Sequence, residues 1–172
     1  MATTIPPRTD IPQQYRWHAE SVFTDLNAWE TEYQKISDAL TDNRISVPGD
    51  VNSGDALHKL LEAGFTWLIR AKIVFLYAGL EHSVETTSAD AAQRNSQARG
   101  LLSQVQSQLA ALQPLVIQIG EDTIRAWMDE YPALKTYGHY FKDIFRKQAH
   151  IRSEEVETLL GLLRDPFAGT SA

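Results

Sequence analysis

The sequence predicts an all-α protein: a bundle of about five to six helices, two of them long, behind an extended N-terminal arm. Three observations predict it. Apolar residues recur at steps of three and four through most of the 172 residues. A serine, threonine or aspartate stands at the start of most of these runs, as helix N-termini prefer. No segment alternates with period two among β-branched residues, so no sheet is expected.

Residues 1–23 form the arm. Pro6, Pro7 and Pro12 break any helix there and remove backbone donors. Tyr15, Trp17, Val22 and Phe23 are too apolar for a free tail, so the arm is expected to pack its aromatic residues on the helical body. Residues 24–165 form the helical domain. Its first helix is expected over about 25–44, capped by Thr24, with Leu26, Trp29, Tyr33, Ile36 and Leu40 on one face. Asn43, Pro48, Gly49, Asn52 and Gly54 then mark a loop.

The second helix is capped by Ser53 and runs to about Val84. Leu57, Leu61, Gly64, Leu68, Ala71, Phe75 and Ala78 form its main stripe, which Leu60, Trp67, Val74, Tyr77 and Leu80 widen. A helix so apolar around its circumference is expected at the centre of the bundle. The third starts near Ser88 and carries Leu101, Leu102, Val105, Leu109 and Leu112, with Pro114 expected to kink or end it. Gly120 stops that run, and a short helix follows with Ile124, Trp127 and Met128 before Tyr131-Pro132. A fifth is expected over about 133–147 with Leu134, Tyr137, Phe141, Ile144 and Phe145 buried. A sixth is expected from Ser153, with Val156, Leu159, Leu160 and Leu163 as its face, ending at Asp165-Pro166. Residues 166–172 carry no helix signal and read as the start of a connection to a further region.

Bulk composition narrows the chemistry. A net charge of −6 repels phosphate backbones, so no nucleic-acid partner is expected. No stretch approaches the roughly 20 apolar residues of a membrane span, the best being 73–80, and residues 1–8 lack a signal-peptide pattern. The absence of cysteine removes disulfides, thiolate metal sites and a cysteine nucleophile, and fits a cytoplasmic location.

No catalytic, cofactor-binding or metal-ligating residue is assigned. The five histidines, His18, His58, His82, His139 and His150, include no pair spaced as in His-Glu-x-x-His. His139 and Asp143 share a helix face but lack a third ligand, so they read as a surface pair. Glu154, Glu155 and Glu157 follow a capping serine, where the helix dipole favours anions, and Glu81, His82 and Glu85 read as a solvated helix end. Trp17, Trp29, Trp67 and Trp127 fall on apolar positions; they could line a ligand groove, but at helical spacing they read as core. There is no Gly-x-Ser-x-Gly elbow and no phosphate-binding glycine loop.

Several stretches, in order, resemble the N-terminal helical region of the oligoendopeptidase F family, a branch of the thimet-oligopeptidase-like zinc metallopeptidases of M3 type. They are Ile11-Pro12-Gln13-Gln14-Tyr15-Arg16-Trp17 with Val22-Phe23 and Ala28-Trp29-Glu30; Leu76-Tyr77-Ala78-Gly79-Leu80 with Glu85-Thr86-Thr87; and Ala98-Arg99-Gly100-Leu101-Leu102 with Leu112-Gln113-Pro114-Leu115. The sharpest is Pro132-Ala133-Leu134, Tyr137-Gly138-His139-Tyr140-Phe141, Arg146, and then 150–160, where Arg152 replaces the family's usual leucine.

The resemblance implies a non-catalytic helical wall of a channel in which short peptides are cleaved. It implies zinc only in the parent enzyme, on a catalytic region outside this chain. That region and short peptides would be its partners, and an apolar face left uncovered would drive self-association. The competing reading is an autonomous helical adaptor that binds a protein partner without enzyme activity.

Overall fold

The computed structural model describes residues 10–148. The expected helix from Ser153 and the connection at 166–172 lie outside them. Among the described residues six α-helices follow one another: α1 (Leu26–Thr41), α2 (Gly54–Val84), α3 (Ala89–Leu109), α4 (Leu112–Ile119), α5 (Glu121–Glu130) and α6 (Gly138–Gln148). Among the described residues there is no strand. The all-α bundle with two long helices, α2 and α3, is as expected from the sequence.

Local chemistry sets the boundaries. The carboxylate of Asp25, rather than Thr24, caps α1 by accepting from the Ala28 N–H at 2.7 Å. The helix ends three residues earlier than predicted because Asn43 turns left-handed, with φ 57°. The Arg44 and Asn43 N–H groups then close back on Ala39 O and Leu40 O at 2.8 and 3.1 Å. That closure turns Ile45 into the core. Ser53 and Ser88 cap α2 and α3 as the sequence implies. The chain breaks at 110–111, ahead of Pro114, which therefore sits in the first turn of α4, where its missing N–H costs little.

The expected fifth helix is instead two pieces. A 3₁₀ stretch, Pro132–Tyr137, precedes α6. In 3₁₀ geometry residues three apart eclipse, so Leu134 and Tyr137 both turn toward the second core cluster. The arm is also less extended than predicted, with 3₁₀ turns at Gln13–Tyr15 and Ala19–Ser21. Trp17 and Phe23 pack on Tyr77 with ring centroids 5.7 and 5.2 Å away, as the arm was expected to do. Tyr15, at 75% exposed, and Val22 stay in solvent.

Two apolar clusters lie along α2. One joins Trp29, Ile36, Ala39 and Ile45 to Ala71, Val74, Ala78 and to Ala98, Leu101 and Val105 of α3. The other joins Leu57 and Leu61 to Leu112, Val116, Ile124, Leu134, Phe141 and Ile144. Leu109 packs against both. It can do so beside Gly64, where a Cβ would stand 3.0 Å from Leu109 Cδ2. The Trp29 indole N–H donates to the Val74 carbonyl at 3.0 Å, tying α1 to the middle of α2.

The central position predicted for α2 does not hold. Ile69, Ile73, Leu76, Leu80 and Val84 are 40–57% exposed. The bundle covers one face of α2 with α1 and α3, and the other is open because no element crosses it among the described residues. By length and mean hydropathy (1.3 over 18 residues) α2 could also cross a bilayer. Arg70, bonded to Glu32 at 2.6 Å, and the exposed Lys72 interrupt that span midway, as suits a packed amphipathic helix.

Ile36→Ala is expected to destabilise the fold by about 2–5 kcal/mol, since the wholly buried side chain leaves a cavity between three helices. Gly120 joins α4 and α5 at φ 87°, ψ 151°, a region essentially restricted to glycine. Gly120→Ala is expected to cost about 1–3 kcal/mol. Denaturant unfolding followed by circular dichroism checks both, and an unchanged midpoint for either would contradict the assignment.

Candidate functional site

An open groove runs along the polar N-terminal half of α2. His58, Lys59, Glu62, Thr66, Trp67 and Arg70 line it, closed at one end by Tyr131. Helical spacing puts these α2 side chains on adjacent turns. The 3₁₀ stretch brings up Tyr137, whose hydroxyl donates to Glu62 Oε1 at 2.5 Å.

Aromatic rings stiffen the groove. His58 meets the edges of Tyr131 and Tyr137, with centroids 5.5 and 5.8 Å away. Phe65 stacks on Tyr137 and abuts Tyr140 edge-on. Burial, followed by the bond to the Glu62 carboxylate and its charge, pushes the Tyr137 hydroxyl up to about 12. At the far end the Arg70 guanidinium lies 4.2 Å over the Trp67 ring and bonds Glu32 through Nε at 2.6 Å. The Lys59 ammonium, 2.7 Å from Asp55, is the main cause holding that carboxyl below its usual range.

The groove therefore offers both signs of charge, hydroxyls and flat rings. Those groups suit an extended polar chain with occasional apolar side chains. Among the described residues, no three His, Asp or Glu side chains stand close enough together to hold a metal ion. The zinc implied by the sequence resemblance thus finds no fitting donors here, and no reaction step is assigned to these residues.

The other sequence candidates fall as follows. Asp143 turns to Arg146 and Lys147, each 2.6 Å away, rather than to His139. Those two cations, Lys147 first, hold its carboxyl at about 2. Glu81 is not part of a solvated terminus. It accepts two bonds from Arg94, at 2.6 and 3.0 Å, clamping α2 to α3. Trp29 is core as read. Trp127 packs in the second cluster, Trp17 on Tyr77, and Trp67 is shared between core and groove. Glu154, Glu155, Glu157 and His150 lie outside the described residues. The Tyr137–Glu62 and Arg70–Glu32 pairs were not anticipated, because their partners are far apart in sequence and only the fold joins them.

Among the described residues, an all-helical region carrying a polar and aromatic groove is the class these features define. Comparison places it more closely. Residues 116–171 match the family model described as oligopeptidase F. The chain is 28% identical over 171 residues to the oligopeptidase PepF of Bacillus subtilis, covering 99% of this chain and 25% of that protein. It is 27% identical over 154 residues to the group B oligopeptidase PepB of Streptococcus agalactiae, covering 89% and 26%. Its fold superposes on a putative peptidase from Chlamydophila abortus with a TM-score of 0.78 at 20% identity, over 93% of this chain and 27% of that one. Oligoendopeptidase-F from Enterococcus faecium gives 0.65 at 23% identity, over 79% and 27%.

The chain thus spans about a quarter of the length of the curated relatives it matches. The resemblance read from the sequence is borne out: this chain is similar to the N-terminal region of the oligoendopeptidase F family within the M3 peptidases.

The raised Tyr137 has a pH signature. A hydroxyl that stays protonated in the folded state to about 12 but ionises near 10 when unfolded favours the fold fully below pH 10. That contribution is lost as pH rises through 10 to 12. Tyr137→Phe is expected to flatten this part of the alkaline stability profile. A wild-type profile superimposable on the variant's between pH 10 and 12 would refute the assignment.

Proposed function

We propose that this chain is the non-catalytic N-terminal region of a zinc-dependent oligoendopeptidase of F type. In this reading it walls a channel in which short peptides are hydrolysed, and the groove between His58 and Arg70 faces the peptide. The observation that carries the reading is the similarity to PepF along 99% of this chain but only 25% of that peptidase. The groove adds support. Its charges and rings fit a peptide backbone and side chains. The metal and the water-activating carboxylate would belong to the larger region of the enzyme.

The adaptor reading draws on one observation, the open apolar face of α2. A single pair of preparations separates the two. The 172-residue chain is expected to show neither tight zinc binding nor peptidase activity. The longer protein encoded with it is expected to cleave short peptides and to lose that activity to a chelator. Stoichiometric zinc with chelator-sensitive cleavage by the 172-residue chain would overturn the non-catalytic role. A gene whose product lacks His-Glu-x-x-His altogether would favour the adaptor.

A further inference from the structure

Two half-buried arginines tie neighbouring helices together, and they are bonded differently. Arg94, its side chain 19% exposed, closes its fork on Glu81: Nε and Nη2 donate to the two carboxylate oxygens at 3.0 and 2.6 Å. Arg70, 29% exposed, meets Glu32 through Nε alone, at 2.6 Å to Oε1. Its Nη1 and Nη2 carry all but one of the guanidinium N–H donors. Among the described residues neither makes a hydrogen bond. Neither is shut away from solvent: the buried side-chain atoms without a partner are Arg16 Nε, His82 Nδ1 and Asn95 Oδ1. Arg70 lines the groove, so these donors open on it.

A guanidinium presents two edges to an oxyanion. One pairs Nε with an Nη and the other pairs Nη1 with Nη2, and each matches both oxygens of a carboxylate. Glu32 takes the Nε side with one oxygen and leaves the Nη1–Nη2 edge unoccupied. The plane of the group is also fixed, by the Trp67 ring 4.2 Å away and by the Nε bond. A ligand therefore need not immobilise this side chain itself. Lys59, which also lines the groove, is 73% exposed and already 2.7 Å from Asp55. It offers a mobile point charge rather than a planar fork.

We propose that Arg70 is the carboxylate-recognition residue of the groove, taking a peptide carboxylate end-on across Nη1 and Nη2. The carboxylate is a C-terminus or an Asp or Glu side chain. A C-terminus held there lets the peptide run along α2 toward His58, twelve residues away. That distance is about 18 Å along the helix, which takes about five extended residues at about 3.3 Å each. The proposal rests on the reading of the groove as peptide-facing. Glu32 acts on it in two ways: it orients the fork, and its charge opposes the incoming carboxylate.

The test titrates the 172-residue chain with N-acetylated pentaalanine as the free acid, as the C-terminal amide, and as the amide with a central Glu. N-acetylglycine serves as a carboxylate with little peptide attached. Nuclear magnetic resonance follows the Arg70 guanidinium and the Trp67 indole N–H. The free acid is expected to move both, and amidation to weaken binding about tenfold. Recovery by the central Glu identifies a side-chain carboxylate as sufficient, and no recovery identifies the C-terminus. Arg70→Lys keeps the charge beside Glu32 but loses the fork, and is expected to lower the free acid to the affinity of the amide. Glu32→Gln keeps an oxygen for Nε and removes the opposing charge. It is expected to tighten the free acid and leave the amide unchanged, which a purely structural Arg70–Glu32 pair does not do.

Equal affinity for acid and amide, with Trp67 moved by both, overturns the carboxylate assignment and leaves the peptide-facing groove standing. Free-acid binding that Glu32→Gln leaves unchanged or weakens overturns it too. N-acetylglycine that moves Arg70 while no peptide moves Trp67 overturns the peptide as ligand, and the peptide-facing groove with it. Titrations that move neither residue overturn both readings.

Discussion

Burial of one face of α2 is the constraint that organises the molecule. The helix is 31 residues long, and its buried face is divided between two clusters rather than covered by one. Near its C-terminal end the small residues Ala71 and Ala78 let α1 and α3 approach closely. Near its N-terminal end Leu57 and Leu61 reach into the shorter elements, α4 to α6. Leu109 belongs to both clusters, and the missing side chain at Gly64 makes room for it. The two long helices thus act as a spine from which the C-terminal elements hang. That arrangement leaves the opposite face of α2 free to be polar at one end and apolar at the other. The groove and those apolar residues are two halves of one exposed surface.

Much of this was legible in the sequence, and the misses share a cause. Serine caps at Ser53 and Ser88 were readable because capping is local, and so was the break around Pro114. The main stripe of α2 was readable because its period is regular. The centrality of α2 was misjudged because hydrophobicity around a helix does not say how many neighbours it has. Leu80 reads the same whether a helix covers it or not. The 3₁₀ stretch before α6 escaped because its apolar spacing also fits an α-helix, and only the demand that Leu134 and Tyr137 face one cluster selects the tighter winding. The end of α1 was overrun because Asn43 was read as a loop residue without assigning it the left-handed turn that closes the helix.

The groove was less legible than the fold. Its defining contacts, Tyr137 to Glu62 and Arg70 to Glu32, join residues with no local pattern between them. The Arg94–Glu81 clamp shows the same limit. Glu81 near a helix end suggested solvent, and its partner comes from the next helix. Family resemblance reached further, because order and spacing along a whole chain carry information that no single pair does. Even so, it assigned no residue of this chain a catalytic task.

The hydrogen bond from Trp29 to the Val74 carbonyl has a consequence beyond its own strength. The core around it is built of alkyl and aromatic surface, and among the described residues no charged or polar side chain is buried. Apolar surfaces alone tolerate sliding, because a helix displaced by one turn meets much the same chemistry. The indole N–H narrows that tolerance. Caught between one turn of α2 and the next, it would lose its carbonyl and stay out of water, which costs more than the bond contributes in place. Slips of less than a turn are therefore penalised, and the Arg70–Glu32 pair that joins the same two helices adds a second constraint on the axial position of α1.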